Sequence, residues 1–561
     1  SSAVGPRSLY GDQLRSSVPT RVGVKENTYL KAQSFTEDDS NESGELEFER
    51  NPLVNSDDPE YIYFSFLFID GKDRYDDCNI FNSFLASVET THHSIFAMVT
   101  STDGIPRSHD EAMRHTNPKW QASVDKEKNK FETHNTLAWV PYRGQKLQNL
   151  IWLFRQKTDS NQSASSRLVL DGSKMEPGRD YDLSETYCGN VSASSIKMAL
   201  VISSSYGLVM KKGDVVGAYL GAPNTSTFTV HVNTPQGYQR RPGQCLQITG
   251  NIYGAPDAGY FFDIDLSDII SDQGWTSCAY DRKFFWKWID NIPLILCTHS
   301  DDFKMHLRDE HMYEWDNFLA ALFKKGYKCD DRDGENFVGI NIQRLPNGGY
   351  SMNQRKAIEK LLTLVDMIGV EERLPYPTQQ QQPESFSKKD NLGNIETKMS
   401  ASEEEGIQKF PYRACVGSLL YIMIHTMPQI LFILNVLSRF CNDLGPRHEF
   451  FLQHLLRFVK GIRSYPHEGP YDIGTMTDLL QVHFHIDSEL GGNIDTGRAQ
   501  TCWIGFFFDQ IFTWNSTTQG SLSTSTSECE IKAINHTLKC ETISNIGMLN
   551  AMGFKQGPVV I

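Results

Sequence analysis

Hydrophobic positions along the chain fall into contrasting regimes. Residues 1–108 hold no sustained period, although 61–100 contains apolar, strand-like pieces. From about 109 the spacing becomes regular. Met113, Trp120, Val124 and Phe131 recur at helical intervals and predict a helix over 111–134. Apolar runs at 151–154 and 167–170, with a Ser-rich stretch between them, predict two paired strands. Residues 194–205 read as a short helix, and 208–220 and 227–232 as strand-rich segments. The stretch 292–307 reads as two strands meeting in a tight turn, His299-Ser300-Asp301-Asp302. A helix over 312–325 is stopped by Gly326.

A change of composition marks a linker at 375–398, with Pro375, Pro377, a glutamine run at 379–382 and Pro383. Helical patterns follow at 412–425, 429–441 and 448–460. Beyond about 475 strands return at 484–486, 501–508 and 511–514, and a helix over 528–549 closes the readable part. No apolar run reaches the 18 or so residues of a bilayer span, so no membrane contact is expected.

Composition narrows this only a little. The 561 residues are 39% hydrophobic and 22% charged, as in an ordinary soluble protein. The net charge of -15 speaks against broad nucleic-acid binding, yet it is unevenly spread. Residues 37–60 hold ten acids and Arg50 as the one base, about -9 in a short window that reads as disordered. The 11 cysteines include no C-x-x-C pair, which fits reduced thiols in a cytoplasmic or nuclear protein, not a secreted one. The chain opens on Ser1, as a processed piece or a fragment would.

Carboxylates give the first candidate chemistry. Asp214 follows the strand-like 208–213, and Asp301 and Asp302 lie at the turn between two apolar strands. Asp-Asp occurs at five places, and such pairs are ordinarily solvated. Only the pair at 301 is bracketed by strands that could fix carboxylates around divalent cations. Nucleotide polymerisation needs two such cations, and magnesium takes hard oxygen ligands.

Motifs in series then carry a resemblance. Gly213-Asp214-Val215-Val216-Gly217-Ala218-Tyr219-Leu220 resembles the first carboxylate motif of reverse transcriptases. Pro235-Gln236-Gly237-Tyr238, Ile252-Tyr253-Gly254 with Ala258, and Phe337-Val338-Gly339-Ile340 resemble segments of copia-type enzymes. His299-Ser300-Asp301-Asp302 stands where that family has "YVDD". Tyr412-Arg413-Ala414-Cys415-Val416-Gly417-Ser418-Leu419-Leu420-Tyr421 is similar to its "YR-x-x-VGSLLY". Further on, His485-Ile486-Asp487 and Ser523-Thr524-Ser525-Thr526-Ser527-Glu528-Cys529-Glu530 resemble the start and a later motif of copia-type ribonuclease H. Order and spacing hold from about 109 to 549.

The resemblance to the Pol polyprotein of copia-type retrotransposons implies an α+β chain. A right-hand polymerase of fingers, palm and thumb would precede a ribonuclease H-like α/β domain. The implied divisions are an N-terminal extension 1–108, fingers and palm 109–345, thumb and helical connection 346–472, and a truncated ribonuclease H-like domain 473–561. Asp214, Asp301 and Asp302 would hold Mg2+ or Mn2+. Tyr219 would crowd the sugar 2′ position, and Arg167 would contact the incoming triphosphate. By themselves these two read as a buried strand aromatic and a solvated strand charge. Asp487 and Glu530 would be ribonuclease H ligands. The family's next Asp follows a strand that here reads Pro558-Val559-Val560-Ile561, where the sequence stops, so RNA cleavage is not expected of this piece. Implied partners are an RNA template, a DNA or RNA primer, deoxynucleoside triphosphates and other Pol products in an oligomer. The implied setting is a cytoplasmic virus-like particle or the nucleus.

The chain departs from the family at functional positions. His299 and Ser300 replace Tyr and Val, and Pro256 and Asp257 replace Lys and Gln. Asp257 is expected to bring negative charge towards a triphosphate, where like charges at ~4 Å repel by about 1 kcal/mol in water. Two readings stay open: an RNA-directed DNA polymerase, or a degenerate descendant that keeps the fold and at most binds nucleic acid or a partner. His483 and His485, two apart on one strand face, read as structural rather than as metal ligands.

Overall fold

The computed structural model describes residues 104–156, 163–332, 336–367, 377, 410–442, 444–463, 471–473 and 481–557. Residues 1–103, nearly all of the 375–398 linker and the strand expected at 558–561 lie outside the described residues.

The predicted helix over 111–134 is two helices, α1 (His109–Arg114) and α2 (Lys119–Thr133). Pro118 starts the second, and the Asn117 side chain accepts the Lys119 amide at 3.1 Å. Met113 therefore leaves the helical stripe and is exposed, while Trp120, Val124 and Phe131 stay buried on α2. Next come β1 (Leu137–Pro141), β2 (Leu147–Gln148), β3 (Leu150–Gln156) and β4 (Ala164–Leu170). As expected from the sequence, β3 and β4 pair antiparallel. Helix α2 lies against this hairpin, with Ser123 and Ser166 hydroxyls 2.9 Å apart.

Helix α3 (Ala193–Tyr206) is capped by the Ser192 side chain and ended by Gly207 in the left-handed region. Strand β5 (Val209–Val216) runs past Asp214, which is interior to it and not terminal. Gly217, at φ +72°, then turns the chain into a single helical turn, α4 (Ala218–Gly221), so Tyr219 is helical and not a strand residue. Of 227–232 only β6 (His231–Val232) is a strand; β7 (Gln244–Ile248) completes a four-stranded sheet of order β1-β7-β6-β2.

Helix α5 (Ala258–Asp272) leads to β8 (Thr276–Ser277), β9 (Phe284–Ile289), β10 (Ile292–His299) and β11 (Asp302–Leu307). After α6 (Met312–Lys324), strand β12 (Lys328–Arg332) closes a six-stranded antiparallel sheet, β12-β5-β11-β10-β9-β8. Period two sorts its faces. Val215, Phe303, Met305 and Leu307 pack on α5 and α6 through Phe262, Leu266, Trp315 and Phe318. Residues Phe284, Trp286, Ile295 and Cys297 join a core on the other side that includes Met198 and Ile202 of α3.

A second four-stranded sheet joins β13 (Asn336–Phe337), β14 (Ile340–Arg344), β15 (Tyr350–Asn353) and, after α7 (Arg355–Leu364), α8 (Tyr412–Thr426), α9 (Leu431–Ser438) and α10 (Pro446–Arg463), strand β16 (Tyr471–Ile473). The C-terminal part is a sheet of β17 (Val482–Glu489), β18 (Gln500–Phe507) and β19 (Gln510–Thr518), followed by α11 (Thr526–Thr537) and α12 (Ile543–Met552). Among the described residues this sheet is antiparallel throughout, short of the α/β arrangement expected there. The Ser/Thr run at 521–527 forms a helix cap. The Ser525 hydroxyl accepts the Glu528 amide at 3.2 Å, and the Glu528 carboxylate accepts the Thr524 amide at 2.7 Å. No helix among the described residues is long and apolar enough to cross a membrane.

Candidate active site

Three strands set the carboxylates. In the β5–β11 register Asp214 stands directly opposite Asp302, and in the β5–β12 register it stands opposite Asp330. Paired residues of antiparallel strands have α-carbons about 5 Å apart and side chains on one face, so Asp302, Asp214 and Asp330 form an acidic row. Two residues away, in the same β5–β11 register, Lys304 stands opposite Lys212. The Lys212 ammonium lies 2.9 Å from Asp302 Oδ1.

The turn carrying Asp301 is fixed from both flanks. The Val215 amide donates to the Asp301 carbonyl at 2.8 Å, which ties the turn to β5. Opposite, Asn190 Oδ1 accepts the Ser300 amide at 3.0 Å and its hydroxyl at 3.3 Å. Ser300 has φ +51°, in the left-handed region that non-glycine residues avoid, and these bonds help to hold it there.

Asp301 lies in the turn between β10 and β11, within electrostatic reach of Arg167 on β4. Burial raises its carboxyl pKa above the ordinary value, Asp302 adds to the rise, and Arg167 and His299 oppose it. Arg167, on β4, places its guanidinium 5.0 Å from the Tyr253 ring centre. Tyr219 meets the Tyr253 ring edge-on at 6.1 Å and Phe262 at 6.0 Å. Burial, then Cys188 and Asp301, push the Tyr219 hydroxyl up to about 12, with Ser300 hydrogen-bonded to it. Arg167, Tyr219, Tyr253 and Asp301 thus lie close together, a cation, two aromatic rings and a carboxylate.

The fold brings Asp214, Asp301 and Asp302 into adjacency, but not to a common point. Among the described residues no three His, Cys, Asp or Glu side chains converge closely enough to hold a metal ion. In donor chemistry the three carboxylates suit a hard divalent cation. Asp257 corrects an expectation. It is buried, 6% exposed, and its neighbours are Ser226 and Glu185 rather than Asp301 or Arg167. It stands just before α5 and lines a cavity of about 20 Å³ with Asp180, Ser226 and Asn251.

The second carboxylate group joins β17 to α11. Burial, then Asp487, push the Glu530 carboxyl up to about 7. Burial also raises Asp487, whose carboxylate accepts the Ser488 amide at 2.8 Å. Glu489 is raised by burial and by Asp487. His483 stacks on Phe506 with ring centres 4.8 Å apart and stands 5.8 Å from His485, a packing arrangement.

Sequence reasoning missed Lys212 and Asn190. Lys212 was findable, since it lies two residues before Asp214 on a strand and so shares its face. Asn190 had no local signal, because its partner is 110 positions away.

Residues 135–377 match the family described as reverse transcriptase (RNA-dependent DNA polymerase). The retrovirus-related Pol polyprotein from transposon RE1 of Arabidopsis thaliana is 24% identical over 464 residues, covering 81% of this chain and 30% of that protein. The corresponding polyprotein from transposon TNT 1-94 of Nicotiana tabacum is 23% identical over 473 residues, covering 83% of this chain and 34% of that protein. The chain thus spans about a third of the length of these relatives. Among solved structures, a foamy viral protease-reverse transcriptase in complex with ds DNA aligns with a TM-score of 0.42 and 11% identity, over 83% of this chain and 65% of that one. The chain thus carries a reverse transcriptase segment at 135–377 and is similar along most of its length to both transposon Pol polyproteins.

Proposed function

We propose that this chain is the RNA-directed DNA polymerase of a copia-type element, extending a DNA or RNA primer on an RNA template with deoxynucleoside triphosphates. The observation that carries this reading is the register of Asp214 against Asp302 beside the turn of Asp301, with Arg167 and Tyr219 close by. Asp214, Asp301 and Asp302 would hold Mg2+ or Mn2+. When bound, such ions supply charge stabilisation for the attacking and leaving oxygens of an in-line displacement. Arg167 offers its planar fork to the triphosphate. Tyr219 and Tyr253 form the apolar wall against which the sugar and base of the nucleotide rest. Asp487 and Glu530 form a separate, ribonuclease H-like pair. The setting would be a cytoplasmic virus-like particle or the nucleus.

A second reading, a non-catalytic descendant that binds nucleic acid or a partner, is favoured by the Lys212–Asp302 ion pair and by His299 and Ser300 at the turn. Primer extension on an RNA template with Mg2+ or Mn2+ separates the two. The polymerase reading expects extension by the natural chain and loss to background in Asp301→Asn with folding intact. Folded protein that extends no primer across a range of salt and metal concentrations supports the second reading.

A further inference from the structure

Lys212 is an unusual neighbour for a carboxylate meant for a metal. The β5–β11 register makes it the diagonal neighbour of Asp302, within reach of a long side chain. Its ammonium is 2.9 Å from Asp302 Oδ1, and the side chain is only 10% exposed. Lys304 stands directly opposite it on β11. The strand does not require this ion pair, because β5 is paired along both edges.

We propose that Lys212 is a built-in counter-cation for Asp302, competing with the divalent ion for the same carboxylate. This rests on the polymerase reading of Asp214, Asp301 and Asp302. The ammonium already occupies one oxygen of Asp302. A divalent ion, with oxygen ligands at about 2.0–2.1 Å for magnesium, cannot share that oxygen without close repulsion between positive charges. Metal binding requires Lys212 to swing from Asp302, and the chain therefore answers to a higher metal concentration than its carboxylates alone would set.

Mn2+ binding to the full chain, followed by electron paramagnetic resonance of free Mn2+ without nucleotide, tests this. Lys212→Gln is expected to tighten binding about tenfold, the scale of losing one nearby like charge. Lys212→Arg should bind as the natural chain does, and Asp302→Asn should cancel the gain when combined with Lys212→Gln. Equal or weaker binding by Lys212→Gln, while the natural chain binds Mn2+, overturns the role of Lys212 alone. No binding by any form overturns that role together with the carboxylate reading. A second measurement needs no variant. Reductive methylation of Lys212 in the natural chain, read by peptide mass spectrometry, should speed up severalfold when Mn2+ is added. An unchanged rate at saturating Mn2+ contradicts release of the ammonium.

Discussion

Glu530 shows what a single side chain contributes. Its carboxyl sits at about 7, raised by burial and by Asp487, against an ordinary value near 4.5. The folded state therefore holds this proton more tightly than the unfolded chain. Stability from that proton is complete below about pH 4.5 and is lost as pH rises through about 7. Above pH 7 a charged Glu530 beside Asp487 is a standing penalty. Glu530→Gln is thus expected to stabilise the protein at pH 8 by about 1–2 kcal/mol, after allowance for solvent screening, and to change little at pH 4.5. Urea denaturation at both pH values, with chelator present, checks this; equal stabilisation at both would remove the titration argument. At this scale the sequence was informative where chemistry follows local pattern. Asp214 and the 301–302 pair stood out because strands bracket them. The aim of Asp257 was not legible, since one residue before a helix its side chain can face either way. The bonds from Asn190 to Ser300 join segments that no local pattern connects.

Strand β5 illustrates how an element sets a site. Gly213 stands opposite Phe303, and the Phe303 ring folds across it. A β-carbon at 213 would lie 2.2 Å from that ring. Nothing larger than glycine fits unless β5 and β11 separate or the ring leaves its core between Trp315 and Phe318. Gly213→Ala should cost about 1–3 kcal/mol by overpacking and lower primer extension by displacing Asp214. Adding Phe303→Leu should recover part of the stability. If denaturation shows no loss in the single variant, the packing account fails. Elements were legible where periodicity was long: α3, α6 and the β10–β11 hairpin all follow from spacing. The break at Asn117-Pro118 was missed because apolar spacing continued across it. The turn after Val216 was missed because β-branched residues run up to the glycine that ends the strand.

The whole molecule is where sequence reading was weakest, for a physical reason. Divisions at 345 and 472 came from composition and family pattern, whereas one apolar core runs through α3, the helices α8 to α10 and the C-terminal sheet. Lys197 of α3 lies at the join. Its ammonium donates to the Ile424 carbonyl at 2.8 Å and sits 3.4 Å from the Trp514 ring centre. Burial drives its pKa well below the ordinary value, and Glu541, itself raised by burial, is the opposing charge. Trp514 donates to the Met423 carbonyl at 3.0 Å, so one indole links β19, α8 and α3. A second join lies at Trp288, whose indole donates to the Met552 carbonyl at 2.8 Å and packs against Phe554. With two such joins the polymerase sheet and the C-terminal sheet should unfold as one unit. Trp514→Ala, which removes a buried indole at a cost of about 3–5 kcal/mol, is then expected to lower amide-exchange protection in β10–β11 and in β17–β19 by the same free energy. Loss confined to β17–β19 would mean that the two sheets are separate bodies, with Lys197 and Trp514 only touching. A shared loss would mean that Asp301 depends for its position on a core that reaches the far end of the chain.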